Sequence, residues 1–188
     1  MVDTILAAAT RVFVRVGYAR ATTNRIADAA GVSVGSLYQY FPSKDAIAIE
    51  LMRRYRERVV GRIAAHLGEM NEATFRNVVQ ALIGALLHDD QIDNSLRRVL
   101  IERVLRTDAR GEIAGFEERV ESLLADALRG AKDVVAINDY ELCAFILVRA
   151  VLAVTHGAVV DSPQYNTPAL VDELTRLIVR YIGRRRRP

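Results

Sequence analysis

Residues 22–44, TTNRIADAAGVSVGSLYQYFPSK, constrain the fold of this chain more than any other stretch. Thr22 and Thr23 are N-cap residue types, and Ile26, Ala27 and Ala30 recur at helical spacing to give one apolar face. Gly31 breaks that pattern where a residue tolerant of left-handed φ is needed. Ser33 is placed to cap a second helix, in which Leu37 and Phe41 point inward at a four-residue step. Ser36, Tyr38, Gln39 and Tyr40 face elsewhere, and no core requires them. Pro42 ends the second helix and Ser43 is placed to cap the next. Two short helices around a Gly-containing turn, the second polar on its outer face, describe a helix-turn-helix, a unit that reads DNA.

The charge distribution agrees with that reading. The 188 residues carry a formal net charge of only +3, but residues 1–70 hold 10 Lys/Arg against 6 Asp/Glu, and residues 71–183 hold 12 against 17. Arg184–Arg187 add four positive charges, read as a solubilising tail. The basic excess sits with the helix-turn-helix, as a phosphate-facing surface requires, and the acidic remainder needs another task. The single cysteine, Cys143, excludes an internal disulfide and fits a reducing compartment. Arg11 and Arg15 interrupt the first apolar run as no signal peptide does. The longest apolar run, residues 142–154, is shorter than a bilayer span and contains Arg149. A cytoplasmic, soluble protein is expected.

Along the chain, Ile5, Ala9, Val12, Phe13 and Val16 form a stripe that ends at Gly17, a C-cap residue type. A long helix from Ser43 to about His66 follows the reader, with Arg53, Arg54, Arg56, Arg58 and Arg62 on its outer side. Further helices are predicted near 72–88, 92–105 (with Arg97 and Arg98 as its outer edge), 113–128, 139–160 and from Pro168. The chain reads as all-α, with about nine helices in two domains. Residues 1–45 form a three-helix DNA-binding domain, and residues 46–188 form a helical bundle for effector binding and dimerisation. The segment 139–160 is apolar nearly all round and must be covered on both sides. The simplest cover is the same helix of a second copy, so the last two helices, about 139–160 and 168–183, are expected to form a two-fold, four-helix interface.

The order ILAAATRVFVRVGYARATTNRIADAAGVSVGSLYQYFPSKDAI resembles the N-terminal domain of the TetR family of transcriptional regulators. The shared elements are Phe-x-x-x-Gly-Tyr, the Thr-Thr cap, Ile-Ala-x-x-Ala-Gly-Val-Ser and Leu-Tyr-x-x-Phe-x-x-Lys, over roughly residues 4–50. The resemblance implies a homodimeric regulator, usually a repressor, whose hold on a palindromic operator weakens when a small molecule enters the second domain. It also implies phosphate contacts from Thr23, Tyr38, Tyr40 and Lys44. Val34, Gly35, Ser36 and Gln39 then lie where base edges are met, with Ser33 at the helix start and Asn24 and Arg25 as further DNA contacts.

No catalytic set, metal spacing or phosphate loop stands out, and neither an enzyme activity nor a cofactor is expected. An effector pocket has to form between bundle helices. Its candidate lining is Phe75, Leu82, Leu86, Leu100, Arg103, Val104, Phe116, Val120, Phe145, Arg149, Leu152 and His156. Arg149 pairs with an acidic neighbour such as Glu102 or meets a ligand. The effector is expected to be largely apolar. The alternative is a helical small-molecule carrier or enzyme that keeps the helix-turn-helix only as scaffold.

Overall fold

The computed structural model describes residues 1–69, 71, 74–87, 96–101 and 110–183. Expectations resting on Glu102, Arg103, Val104 and the arginines at 184–187 lie outside the described residues. The fold is all-α: α1 Val2–Arg20, α2 Thr23–Ala30, α3 Val34–Tyr40, α4 Lys44–Gly68, α5 Phe75–Leu87, α6 at 96–101, α7 Arg110–Gly130, α8 Tyr140–Val160 and α9 Pro168–Ile182. A 3-10 turn, Pro163–Tyr165, precedes α9. Among the described residues the only β pairing is an isolated bridge between Val135 and Gly183. The contacts divide into two compact units, residues 1–55 with α6, and residues 56–87 with 110–183. Helix α4 runs through the division without a break.

In the first unit, Ile5, Ala9, Val12 and Phe13 of α1 are buried together with Ile26 and Ala27 of α2 and Leu37 of α3, the stripes that the spacing predicts. Thr22 accepts a hydrogen bond from the Arg25 amide, Ser33 from the Ser36 amide and Ser43 from the Ala46 amide, so all three expected caps form. Gly17 adopts φ 76° and breaks the helical path inside α1, after which one more turn runs on to Arg20. That turn folds Tyr18 back against Phe13, ring centroids 5.1 Å apart. The expected outer edge of α6 is corrected: Arg98 is exposed, but Arg97 is only 1% exposed. The inward face is Leu96, Arg97, Leu100 and Ile101, and taking Ile101 rather than Val99 as its apolar member turns Arg97 inward.

In the second unit α7 lies along α8, and α5 packs against both α8 and α9. The end of α9 is tied down where the Ala136 amide donates to the Ile182 carbonyl at 2.8 Å. Helix α8 is longer than its uninterrupted apolar run, and at 21 residues it is by length and composition alone apolar enough to cross a membrane, contrary to the expectation from the run itself. Its burial is one-sided. Cys143, Ala144, Leu147, Val148, Val151 and Leu152 face inward, whereas Leu142, Phe145, Ile146 and Val154 are exposed. Burial raises the pKa of the Cys143 thiol, with Asp139 adding to the effect.

Helix α4 is anchored to α1 by charge. Glu50 accepts a two-point hydrogen bond from Arg53 at 2.7 and 2.8 Å and a third from Arg54 at 2.8 Å, and Arg54 also reaches Asp3 at 2.5 Å. The Arg53 hydrogen bond, joined by Arg54 and opposed by partial burial, lowers the Glu50 carboxyl from 4.5 to about 2. Its contribution to stability is therefore complete above pH 4.5 and fades as pH falls towards 2. Glu50→Gln should lose about 1–3 kcal/mol at neutral pH, allowing for water around the half-exposed arginines. Urea unfolding of wild type and variant at stepped pH should show the difference shrinking between pH 4.5 and 2; a constant difference contradicts the ion-pair account.

Candidate functional site

The reader is built from backbone upward. At the end of α2 the Val32 amide donates to the Ala27 carbonyl at 3.1 Å and the Gly31 amide to Asp28 at 3.2 Å. With Gly31 at φ 68°, ψ 31°, this is a Schellman closure that turns the chain sharply from α2 into α3. Leu37 and Phe41 anchor α3 inward. That choice of inward face presents Tyr38 (50% exposed), Gln39 and Tyr40 (47% exposed) to solvent. Burial accounts for neither tyrosine. The Thr23 and Tyr38 hydroxyls share a 3.1 Å hydrogen bond that holds the start of α2 to α3. Asn24 is exposed beside Thr23. Ser33 and Ser36 pair through their hydroxyls at 2.8 Å, and Val34 is half-buried next to them. Gly35 is exposed, and a Cβ placed on it meets only the Ser33 hydroxyl, at 3.9 Å. Nothing within the chain requires glycine at that position.

Two of the expected contacts are already engaged inside the protein. The Arg25 guanidinium donates to the Arg20 carbonyl at 3.0 Å while staying exposed. The Lys44 ammonium lies against the carbonyls of Tyr18 and Ala21, each at 3.0 Å, rather than projecting from the surface.

The second unit holds a cavity of about 80 Å³ between α4, α5, α7, α8 and α9, lined entirely by apolar side chains. Six expected residues meet there: Phe75, Leu82, Leu86, Phe116, Val120 and Leu152. Leu100 is buried in the other unit. Phe145 and His156 lie off the cavity, with Phe145 exposed. Arg149 pairs with acidic neighbours, as one of the two expectations for it has it. It sits on the outer face of α8 and bridges Glu117 at 2.5 Å and Glu121 at 2.9 Å on α7. On α8 the inward arc passes through Leu147, Val148 and Val151, so Phe145 and Arg149 fall outside it. The sequence also left out Ile63 and Leu67 of α4, although they continue its apolar stripe at a four-residue step. The buried hydroxyls of Thr155 and Thr175 donate to the carbonyls of Val151 and Val171 and so offer the cavity no polar group. Among the described residues no three His, Cys, Asp or Glu side chains gather as a metal site.

Residues 5–51 match the family described as bacterial regulatory proteins, tetR family, and residues 74–182 match a tetracyclin repressor-like C-terminal domain. The chain belongs to the TetR family. It is 32% identical over 138 residues to the HTH-type transcriptional repressor Rv1474c of Mycobacterium tuberculosis, covering 72% of this chain and 68% of that protein. It is 30% identical over 119 residues to the nucleoid occlusion factor SlmA of Actinobacillus pleuropneumoniae, covering 62% of this chain and 58% of SlmA. The chain thus spans little more than half the length of that relative. Its fold matches SmeT, the repressor of the Stenotrophomonas maltophilia multidrug efflux pump SmeDEF, with a TM-score of 0.73 and 22% identity, covering 98% of this chain and 91% of SmeT. SmeT is also described as a complex with triclosan.

In this TetR-family chain the cavity wall is also core. Leu128 is fully buried and lines it. Leu128→Ala should enlarge the cavity and cost about 2–5 kcal/mol in chemical denaturation. A loss below about 1 kcal/mol would mean that the helices collapse into the space, contrary to a cavity held open by its frame.

Proposed function

We propose that this chain is a sequence-specific DNA-binding transcriptional regulator of the repressor type, a cytoplasmic homodimer released from a palindromic operator by a largely apolar small molecule. The observation that carries this reading is the front of α3, where Tyr38, Gln39 and Tyr40 stand exposed beside a glycine that the fold does not need. A glycine inside a helix costs about 0.5–1 kcal/mol relative to alanine. Gly35 stands in the first turn of α3 with open space where a Cβ would be, and together with the exposed polar side chains around it this leaves the backbone open to close approach, as a DNA groove provides. Asn24, Ser33, Val34 and Ser36 border the same front, with Thr23 and Tyr38 supplying hydroxyls for phosphate oxygens. In this reading residues 1–45 bind the operator and residues 46–188 sense the effector and dimerise.

The exposed apolar positions of the last two helices support a two-fold interface. Leu142, Phe145, Ile146 and Val154 stand on one side of α8, and Leu177 and Tyr181 are exposed on α9. Pairing these faces with a second copy removes them from water and sets two readers one DNA turn apart, roughly 34–36 Å.

The cavity supports release by an apolar ligand. Its volume of about 80 Å³ is well below the roughly 300 Å³ at the small end of ligand sites, so an effector has to part the helices that line it. Helix α4 contributes Ile63 and Leu67 to that wall and begins beside the reader, so displacement of its cavity end changes the presentation of α2 and α3. SmeT, similar in fold, is a repressor found with triclosan, which supports an apolar organic effector here.

Selection from random duplexes followed by gel shift across salt tests the reading. The expected outcome is a palindromic site bound with a steep salt slope. Gly35→Ala separates binding from folding. It should leave thermal stability unchanged or raise it by about 0.5–1 kcal/mol, yet weaken binding to the selected site. A chain that binds no duplex above background, with Gly35→Ala indistinguishable from wild type in every respect but stability, points instead to a small-molecule carrier that keeps the reader as scaffold.

A further inference from the structure

Of the 26 basic residues in this chain only two, Lys44 and Lys132, are lysines. A chain with so strong a preference for arginine places lysine at the first residue of α4. The geometry there calls for a compact ammonium. The break at Gly17 sets the carbonyls of residues 18–21 apart in the last turn of α1 and the residue after it, where the Ala21 amide reaches only those of Gly17 and Tyr18. Arg25 takes the carbonyl of Arg20. Lys44 takes the other three: Nζ donates to Tyr18 and Ala21 at 3.0 Å each and to Ala19 at 3.5 Å. The same ammonium sits 4.6 Å from the centre of the Tyr18 ring. The Tyr18 hydroxyl in turn donates to Asp45, the next residue of α4. Three donors arranged around one nitrogen meet three converging carbonyls, and the flat fork of a guanidinium does not reproduce that arrangement.

We propose that Lys44 is a positioning residue of the reader and not one of its phosphate contacts. Its ammonium fastens the start of α4 to the α1–α2 connection, and so fixes the pose in which α2 and α3 are presented. The Tyr18–Asp45 hydrogen bond closes the clasp from the other side. The proposal rests on the DNA-binding reading above for its consequence, but the placement of the ammonium is measurable without DNA.

Two measurements decide it. The first is a 1H–15N spectrum of the lysine ammonium groups of the full chain in the absence of DNA, assigned with Lys44→Arg because only Lys132 then remains. Lys44 should give a slowly exchanging resonance that persists when operator duplex is added. A missing resonance, or one that appears only with DNA, overturns the placement. The second compares wild type, Lys44→Arg and Lys44→Met on the selected operator and on duplexes with half-sites moved one base pair closer or further apart. Lys44→Arg keeps the charge and is at least as good a partner for phosphate, but it cannot fill the clasp. Both variants should therefore weaken operator binding about tenfold or more, the scale of losing one charged hydrogen bond. Both should tolerate altered half-site spacing better than wild type and keep the wild-type salt slope. The opposite pattern overturns the proposal: Lys44→Arg binding like wild type, with Lys44→Met flattening the salt slope by about 0.9 for each phosphate no longer neutralised, about 1.8 in a two-fold dimer. Should Lys44→Arg fail to fold by circular dichroism, Tyr18→Phe removes only the hydroxyl bond to Asp45. It has to broaden spacing tolerance in the same direction, and unchanged spacing selectivity sinks the clasp. A wild-type chain that binds no duplex refutes the DNA-binding reading, and the ammonium resonance then decides the placement alone.

Discussion

The organisation of the reader depends on what happens to the carbonyls released where α1 stops being a helix. Gly17 turns the backbone out of the helical path, and carbonyls left there without donors carry a desolvation cost. Cations satisfy them, as the negative end of a helix favours. Arg25 comes from α2 and Lys44 from α4, so the same bonds that satisfy the end of α1 also bind the next elements to it. A capping problem and a positioning problem share one solution. Above this joint, Phe13 and Tyr18 pack together, and below it the Glu50–Arg54–Asp3 chain ties α4 back to the first turn of α1. Helix α4 is thus held near both ends of α1, and whatever α4 does the reader has to follow.

The second unit has a different physical character. Its helices meet through aliphatic and aromatic side chains around a space with no polar lining, and its ion pairs lie outside that space, as Arg149 with Glu117 and Glu121 illustrates. Apolar packing of this kind is not directional. It can re-form around a ligand that supplies apolar surface of its own, which suits a sensor, whereas the short charged contacts around Lys44 and Glu50 suit a frame that holds one geometry. On the proposed reading the soft part of the molecule is where a ligand enters and the stiff part is where its effect is delivered.

Much of this was legible in the sequence, and the parts that were not share a cause. The caps at Thr22, Ser33 and Ser43, the glycine at the turn and the inward Leu37 and Phe41 are local features, fixed by residue type and spacing within a few positions. The TetR-family pattern followed from the same local features. Half of the expected cavity lining came together because Phe75, Leu82, Leu86, Phe116, Val120 and Leu152 each lie on the most regular stripe of their helix. Phe145 and Arg149 were misplaced because α8 is apolar all round, and on such a helix periodicity cannot say which arc faces in. Arg97 was misplaced because a charged residue inside an apolar arc reads as its edge. The engagement of Lys44 was invisible for another reason. It depends on a break at Gly17 that brings three carbonyls, more than twenty residues earlier, to one point. Residue types fix neither that convergence nor its direction.

Helix α8 joins the two halves of the proposed mechanism. Leu147, Val148, Val151 and Leu152 form one wall of the cavity, while Leu142, Phe145, Ile146 and Val154 stand exposed on the far side of the same helix. A helix is about 10–12 Å thick with its side chains, so only that thickness separates the ligand space from the face proposed to meet a second copy. Close packing does not absorb a displacement of one face without moving the other. On the proposed reading a ligand that enlarges the cavity bears on all five helices of its wall, and two of them lead to the separation of the readers: pressure on α4 would tilt each reader, and pressure on α8 would shift the dimer contact. Which route dominates depends on which helix is held more firmly. Helix α4 is pinned by charge at Lys44, Glu50 and Arg54, whereas Arg149 and its two glutamates hold the exposed side of α8 to α7. With both helices braced at one end or on one side, the cavity half of α4 keeps the apolar contacts of Ile63 and Leu67 and a polar tie to α5, where the Arg62 guanidinium donates to the Ala85 carbonyl at 3.1 Å, so a ligand that moves this half has to carry α5 with it or break that bond.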